Sequence, residues 1–273
     1  ADDNDADDDD NTSKAGVITY GAETETSGIA IGFDGMSESG SVFGLSFSMS
    51  ESEVVGKGDG KAKSDIDSYT ASIYMDKATD SGYIEGSLTY GLNSTDGTRL
   101  VNTSGLNRTY KSAYDSEQIS LRLGGGVPSE VGAGTYFTPY TSLTASMIMT
   151  DTYTETSNTA SDALRLKVAQ DDVNSLIGTV GMKLHKVTDY GTPMISLAIN
   201  SELGDTKINS TNTYQGGGTA FKTSTEVEEL SGTLGLGYTY GSDLVSLDIG
   251  YEAEADDNDY LSHYGSVKIV SKF

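Results

Sequence analysis

The chain has no cysteine, which excludes disulfides and thiolate metal sites. It has no tryptophan and only 3 prolines among 273 residues, so little interrupts an extended backbone. Long apolar runs are missing as well; "ASMIM" (Ala145 to Met149) is about as long as they get. A membrane-spanning helix needs roughly 20 apolar residues in a row, and none can be drawn. Basic residues are scarce: Lys and Arg number 17 against 41 Asp and Glu, a formal net charge of -24. That imbalance argues against nucleic acid as a partner, since binding it rests on clustered Lys and Arg that neutralise phosphates. It suits a surface bathed in salt or divalent cations, or a water-filled lumen.

What is present starts with "ADDNDADDDDN". Asp2, Asp3, Asp5 and Asp7 supply hard oxygen ligands of the kind calcium takes. The EF-hand spacing is not met, because no glycine follows. Residues 1–14 therefore read as an acidic linker or tail, and residues 15–273 as one β-domain. No cofactor is implied.

From Gly16 onward, short alternating segments recur between Gly/Ser/Asp/Thr clusters. In "FGLSFSMS", Phe43, Leu45, Phe47 and Met49 fall on one face of a strand and Gly44, Ser46, Ser48 and Ser50 on the other. "YTASIYMD", "YIEGSLTYGLN", "ISLRLGGGV", "LIGTVGMKLH", "MISLAINSEL", "LSGTLGLGYTY" and "LVSLDIGYE" repeat the pattern, and no helical period competes. About twelve strands are expected, the first near Gly16 to Glu23 and the last near His263 to Phe273. Short connectors ("SESG", "ATDSG", "TDYGT", "YGSD") take turns with long polar ones such as "DGTRLVNTSGLNRTYKSAYDSE", "TETSNTASDALRLKVAQDD" and "TNTYQGGGTAFKTSTEVE".

A sheet with one apolar face can bury that face in a sandwich or turn it outward into lipid as an antiparallel up-and-down transmembrane β-barrel. The connector asymmetry favours the barrel. So does the polar face, where small residues are interspersed with Asp34, Glu85, Arg122, Lys183, Glu202 and Asp248. Those six are expected to line a lumen. Tyr69, Tyr90, Tyr238, Tyr240 and Tyr251 lie on apolar faces, several near strand ends, as an interfacial aromatic girdle would. The alternative is a secreted all-β adhesin.

The ending "YGSVKIVSKF" puts Val267, Ile269 and Phe273 on one face. It resembles the C-terminal targeting signal of bacterial outer-membrane barrels, which implies the barrel-assembly machinery as a partner. Ser271 departs from the usual apolar residue. "GIAIGFDGMSESGSVFGLSFSMSES", "DIDSYTASIYM" with "GYIEGSLTYGLN", "FTPYTSLTAS" and "HYGSVKIVSKF" together resemble the β-domain of autotransporters. That resemblance implies a 12-stranded translocator of type V secretion in the Gram-negative outer membrane. Its partners would be lipid, lipopolysaccharide and its own N-terminal passenger. It would be a monomer, with residues 1–14 as remnant of a pore-threading linker. The runner-up is a stand-alone, cation-preferring outer-membrane pore.

Catalytic signatures are thin. His185 and His263 are the 2 histidines, the latter beside Asp256, Asp257 and Asp259. Neither Gly-x-Ser-x-Gly nor His-Glu-x-x-His occurs. Self-cleavage through Asn4 or Asn11 with Glu85 or Glu202 finds no residue-by-residue match. No enzyme activity is expected.

Overall fold

The structure is a computed structural model that describes residues 21–57, 62–103, 105–158, 162–227, 229–242, 244–256 and 260–272. Among these residues every regular element is a strand. In chain order they are β1 (Ala22–Met36), β2 (Ser41–Gly56), β3 (Lys63–Ala78), β4 (Tyr83–Thr103), β5 (Leu106–Gly126), β6 (Ser129–Gly132) and β7 (Thr135–Thr150). The short β8 (Tyr153–Thr154) and β9 (Thr156–Ser157) follow, then β10 (Leu166–Gln170), β11 (Val173–Lys186), β12 (Thr192–Glu202), β13 (Lys207–Tyr214) and β14 (Phe221–Glu226). The last are β15 (Leu230–Gly241), β16 (Val245–Asp256) and β17 (Leu261–Ser271).

Eleven of these form one antiparallel path, β1-β2-β3-β4-β5-β7-β11-β12-β15-β16-β17. The pairing is in register over long stretches, Ala22↔Gly56 to Met36↔Val42 in the first hairpin and Tyr83↔Gly126 to Thr103↔Leu106 in the longest. With an odd number of antiparallel strands, β1 and β17 run in the same direction. They cannot join as an antiparallel pair, and no pairing links them among the described residues.

The faces are inverted relative to a soluble protein. Phe43, Leu45, Phe47 and Met49 are exposed on β2, while Gly44, Ser46, Ser48 and Ser50 between them are half-buried. Ile29, Ile31, Ile73, Val180, Ile199, Val267 and Ile269 are also exposed, the last two at 71% and 73%. An apolar outer face this continuous exceeds what a monomer leaves to water, and it matches the lipid band of a barrel. Short turns (37–40, 79–82, 187–191) gather at one end and long connections at the other.

The strand expected near Gly16 to Glu23 falls largely outside the described residues; of its described residues, Ala22 and Glu23 open β1, which continues to Met36. Gly28 lets two backbones approach, since a Cβ there would lie 2.7 Å from the Met49 carbonyl oxygen. The readings of the long connectors are revised. The polar connector at 96–117 is not a loop. It prolongs β4 and β5 as a paired ladder, Asp96↔Ala113 onward. The long connectors after β7 and β12 also fold, into a second sheet ordered β14-β13-β10-β8.

The outward face generates a test. Leu45→Arg should cost about 2–4 kcal/mol in denaturant unfolding from lipid vesicles, as a charge facing mid-bilayer does. On a water-exposed sheet the same change would fall within about 0.5 kcal/mol.

Candidate functional site

The half-buried polar face is inward and knitted by hydroxyls. Residues directly opposite in register bond side chain to side chain: Ser48 with Thr70 at 2.5 Å, Ser72 with Thr89 at 2.8 Å and Ser120 with Ser146 at 2.9 Å. Small cross-strand pairs of this kind hold register without filling the interior.

Towards the short-turn end the inner face carries rings laid over glycines. A Cβ on Gly44 would sit 2.2 Å from the Tyr74 ring, and one on Gly181 would sit 2.4 Å from that of Tyr140. Glycine is therefore required under each ring. The Tyr74 hydroxyl donates to Asp34 at 3.0 Å, and Lys183 Nζ lies 5.9 Å from the Tyr140 ring centroid. Arg122 donates to Glu85 at 3.4 Å. Four of the six residues expected on the polar face thus gather in one belt.

The other two stand elsewhere. Asp248 lies opposite Thr239 and Lys268 in register. Glu202 closes the end of β12, accepting from Ser175 Oγ at 2.6 Å and from the Leu176 and Gly204 amides at 2.7 Å each. Between them Asn200 Nδ2 donates to Thr233 at 2.9 Å and to Ser231 and Glu254 at 3.3 Å each, tying β12, β15 and β16 together. His185 stacks on Tyr136 at 5.1 Å. His263 bonds Tyr251 Oη through Nδ1 at 2.6 Å, on the face that also carries Val267 and Ile269. Among the described residues no cluster of His, Asp and Glu could hold a metal ion. Asp2, Asp3, Asp5, Asp7 and Phe273 lie outside the described residues.

At the long-connector end is a group that sequence reasoning missed. Glu155, between β8 and β9, is 5% exposed. Arg99 on β4 grips it with two bonds, Nε to Oε1 at 2.7 Å and Nη2 to Oε2 at 2.6 Å, and the Leu166 amide adds a third at 2.7 Å. The guanidinium lies 4.4 Å from the ring centroid of Tyr110, whose side chain is fully buried. Tyr110 Oη donates to both Asp162 carboxylate oxygens at 3.1 and 3.2 Å, and Arg108 lies 3.5 Å away. Tyr153 stacks on Tyr114 at 4.3 Å, and burial pushes its hydroxyl up to about 12. Stripping one partner from a buried ion pair costs about 3–5 kcal/mol. Arg99 and Tyr110 sit in the stretch read as loop, where no clean period-two alternation marks a strand.

The family that the sequence matches is described as "Autotransporter beta-domain", and the match covers residues 2–252. The chain belongs to the autotransporter β-domain family. Among solved structures it is similar to the translocator domain of autotransporter NalP from Neisseria meningitidis, with a TM-score of 0.75 at 17% identity, covering 92% of this chain and 82% of that one. The transport unit of AIDA-I from Escherichia coli follows at 0.65 and 13%, covering 92% and 84%. The β domain of the Bordetella autotransporter BrkA follows at 0.57 and 18%, covering 91% of each chain. No curated protein sequence matches the chain. This autotransporter β-domain is thus a barrel of the Gram-negative outer membrane that serves translocation and anchoring of a passenger. Domains of this family are generally not enzymes.

The Asp162 carboxylate supplies a pH test. The Leu164 amide, then the Tyr110 hydroxyl and Arg108, hold it below its ordinary 3.8 against the opposing effect of burial. A carboxyl lowered on folding stabilises above its unfolded value, and that contribution is lost as pH falls through the folded value. The protection of the Leu164 amide, relative to its intrinsic exchange rate at each pH, should hold above about pH 4 and fall below it; in Asp162→Asn that acid step should vanish.

Proposed function

We propose that the inner face lines a water-filled passage through which the passenger of this autotransporter crosses the outer membrane. Asp34, Glu85, Arg122, Lys183, Glu202 and Asp248 are its polar lining. The observation carrying this reading is the inversion of the faces, apolar outward and hydroxyl-rich inward. The chain performs no catalysis itself. Lipid and lipopolysaccharide cover the outer face, and the barrel-assembly machinery reads the terminal strand through Val267, Ile269 and Phe273. The barrel works as a monomer. Residues 1–14 are the linker side of the boundary and 15–273 the barrel side.

Planar-bilayer recording tests this. Deleting residues 1–14 should raise conductance if they belong to a linker in the pore. A stand-alone pore would conduct equally with and without them. Cation preference is expected in both cases, because fixed carboxylates raise local cation concentration and the net charge is -24. Deleting Phe273 should lower the amount of assembled barrel in outer-membrane fractions; an unchanged amount would remove the terminal residue from the assembly signal.

A further inference from the structure

The second sheet is built from the connections that follow β7 and β12, yet it is fastened to β4 and β5. β13 pairs with β14 on one side and with β10 on the other, and β10 pairs with β8. Thus the ends of β7, β11, β12 and β15 share one raft. The raft meets the β4–β5 hairpin through the inward-facing side chains of that hairpin. Arg99 continues the alternate row that holds Glu85, Ser87 and Thr89 on β4, and Tyr110 and Tyr114 continue the row of Arg122 and Ser120 on β5. Their partners Glu155, Asp162 and Tyr153 therefore stand on the inner side of the wall, above the lumen. A further link is the two-residue pairing of β9 with β5, Tyr110↔Ser157 and Lys111↔Thr156.

We propose that this raft is a lid over part of the extracellular mouth, and that Arg99, Tyr110, Glu155 and Asp162 are the latch that sets how open the mouth stands. The inference rests on the lumen being the passage. On the β4–β5 side the fastening is noncovalent apart from the barrel wall itself. The ion pair, the Tyr110–Asp162 bonds, the ring stack and the brief β9 ladder are what must be undone for the raft to swing away. At its base the raft runs directly into β7, β11, β12 and β15: β8 leaves β7 beside β5, where Asp151 N donates to the Asp115 carbonyl, and further along Asp171 N donates to the Asn209 carbonyl and Val227 N to that of Thr206. A lid needs this asymmetry: a tied base and a separable edge. Arg99, Glu155, Asp162 and the Tyr110 hydroxyl are polar, so these groups can be solvated once released. Passage of a chain through the mouth then requires release of the Arg99 latch and does not require deformation of the barrel.

The absence of cysteine allows a direct test. Lys111 and Thr156 face each other in an antiparallel pair, where Cα atoms lie about 4.5–5.5 Å apart, a spacing that accepts a disulfide. In planar bilayers Arg99→Ala should show a higher unitary conductance than the parent. Adding Lys111→Cys with Thr156→Cys and oxidising should return it to the parent level, and dithiothreitol should raise it again. Heat-modifiability on gels checks folding of each variant. Tyr110→Phe, which deletes only the hydroxyl bonds to Asp162, should raise the frequency of openings if Arg99→Ala does not assemble. Conductance that is equal in the parent, the latch variants and the oxidised and reduced disulfide forms overturns the lid. Surface display of a fused passenger is scored separately on the same variants. Display with no latch-dependent conductance sinks the lid alone, whereas latch-dependent conductance with no display sinks the passage reading and leaves the latch as a gate for ions only.

Discussion

Within hydrocarbon no water is present to satisfy a peptide group, so each backbone N–H and C=O must find its partner in the chain itself. The long in-register ladders from β1 to β17 are the consequence of that constraint. Register then governs everything else. Because side chains alternate strictly, one residue of slip would turn the apolar row inward and the hydroxyl row into lipid. The bonded pairs Ser48–Thr70, Ser72–Thr89 and Ser120–Ser146, and the glycines beneath Tyr74 and Tyr140, hold register from the inner side. The constraint also bears on the two ends of the sheet, where β1 and β17 run in the same direction.

The interior is organised by height. Near the short turns, rings and charges crowd together: Tyr74 with Asp34, Tyr140 with Lys183, Arg122 with Glu85. The middle is lined mainly with hydroxyls. At the far end polar contacts become dense again where β4 and β5 outgrow the membrane and meet the raft. An ion pair there, with Glu155 almost fully buried, is held by three bonds to its carboxylate. Water-exposed pairs contribute little, and buried ones are costly to half-remove. Arg99 and Glu155 therefore act as a fastening, while exposed Lys207–Glu226 on the raft is a surface contact.

The family resemblance explains how so low an identity leaves the architecture intact. At 17% identity to NalP the fold survives with a TM-score of 0.75. A barrel wall asks of each position only that it be apolar outward, or small and polar inward, with backbone pairing independent of side-chain identity. Specific side-chain fits concentrate where rings meet glycines and where the raft meets the hairpin.

The wall strands, their faces and the direction of burial were legible in the residues, because period-two alternation is a local property that survives any sheet closure. Phe43 to Met49 and Val267 to Ile269 showed their outward face without a partner in view. The belt of Asp34, Glu85, Arg122 and Lys183 was legible as inward-facing, but its pairing with Tyr74 and Tyr140 was not. The stretches 96–117, 154–172 and 211–228 read as polar loops, since polar composition carries no sign of which distant strand will pair. That Arg99 meets Glu155, 56 residues away, and that Tyr110 meets Asp162 across 52 emerges only in the folded chain. Those contacts depend on where barrel curvature brings β4, β5 and the connection after β7, a geometry set by the whole sheet and written in no local segment.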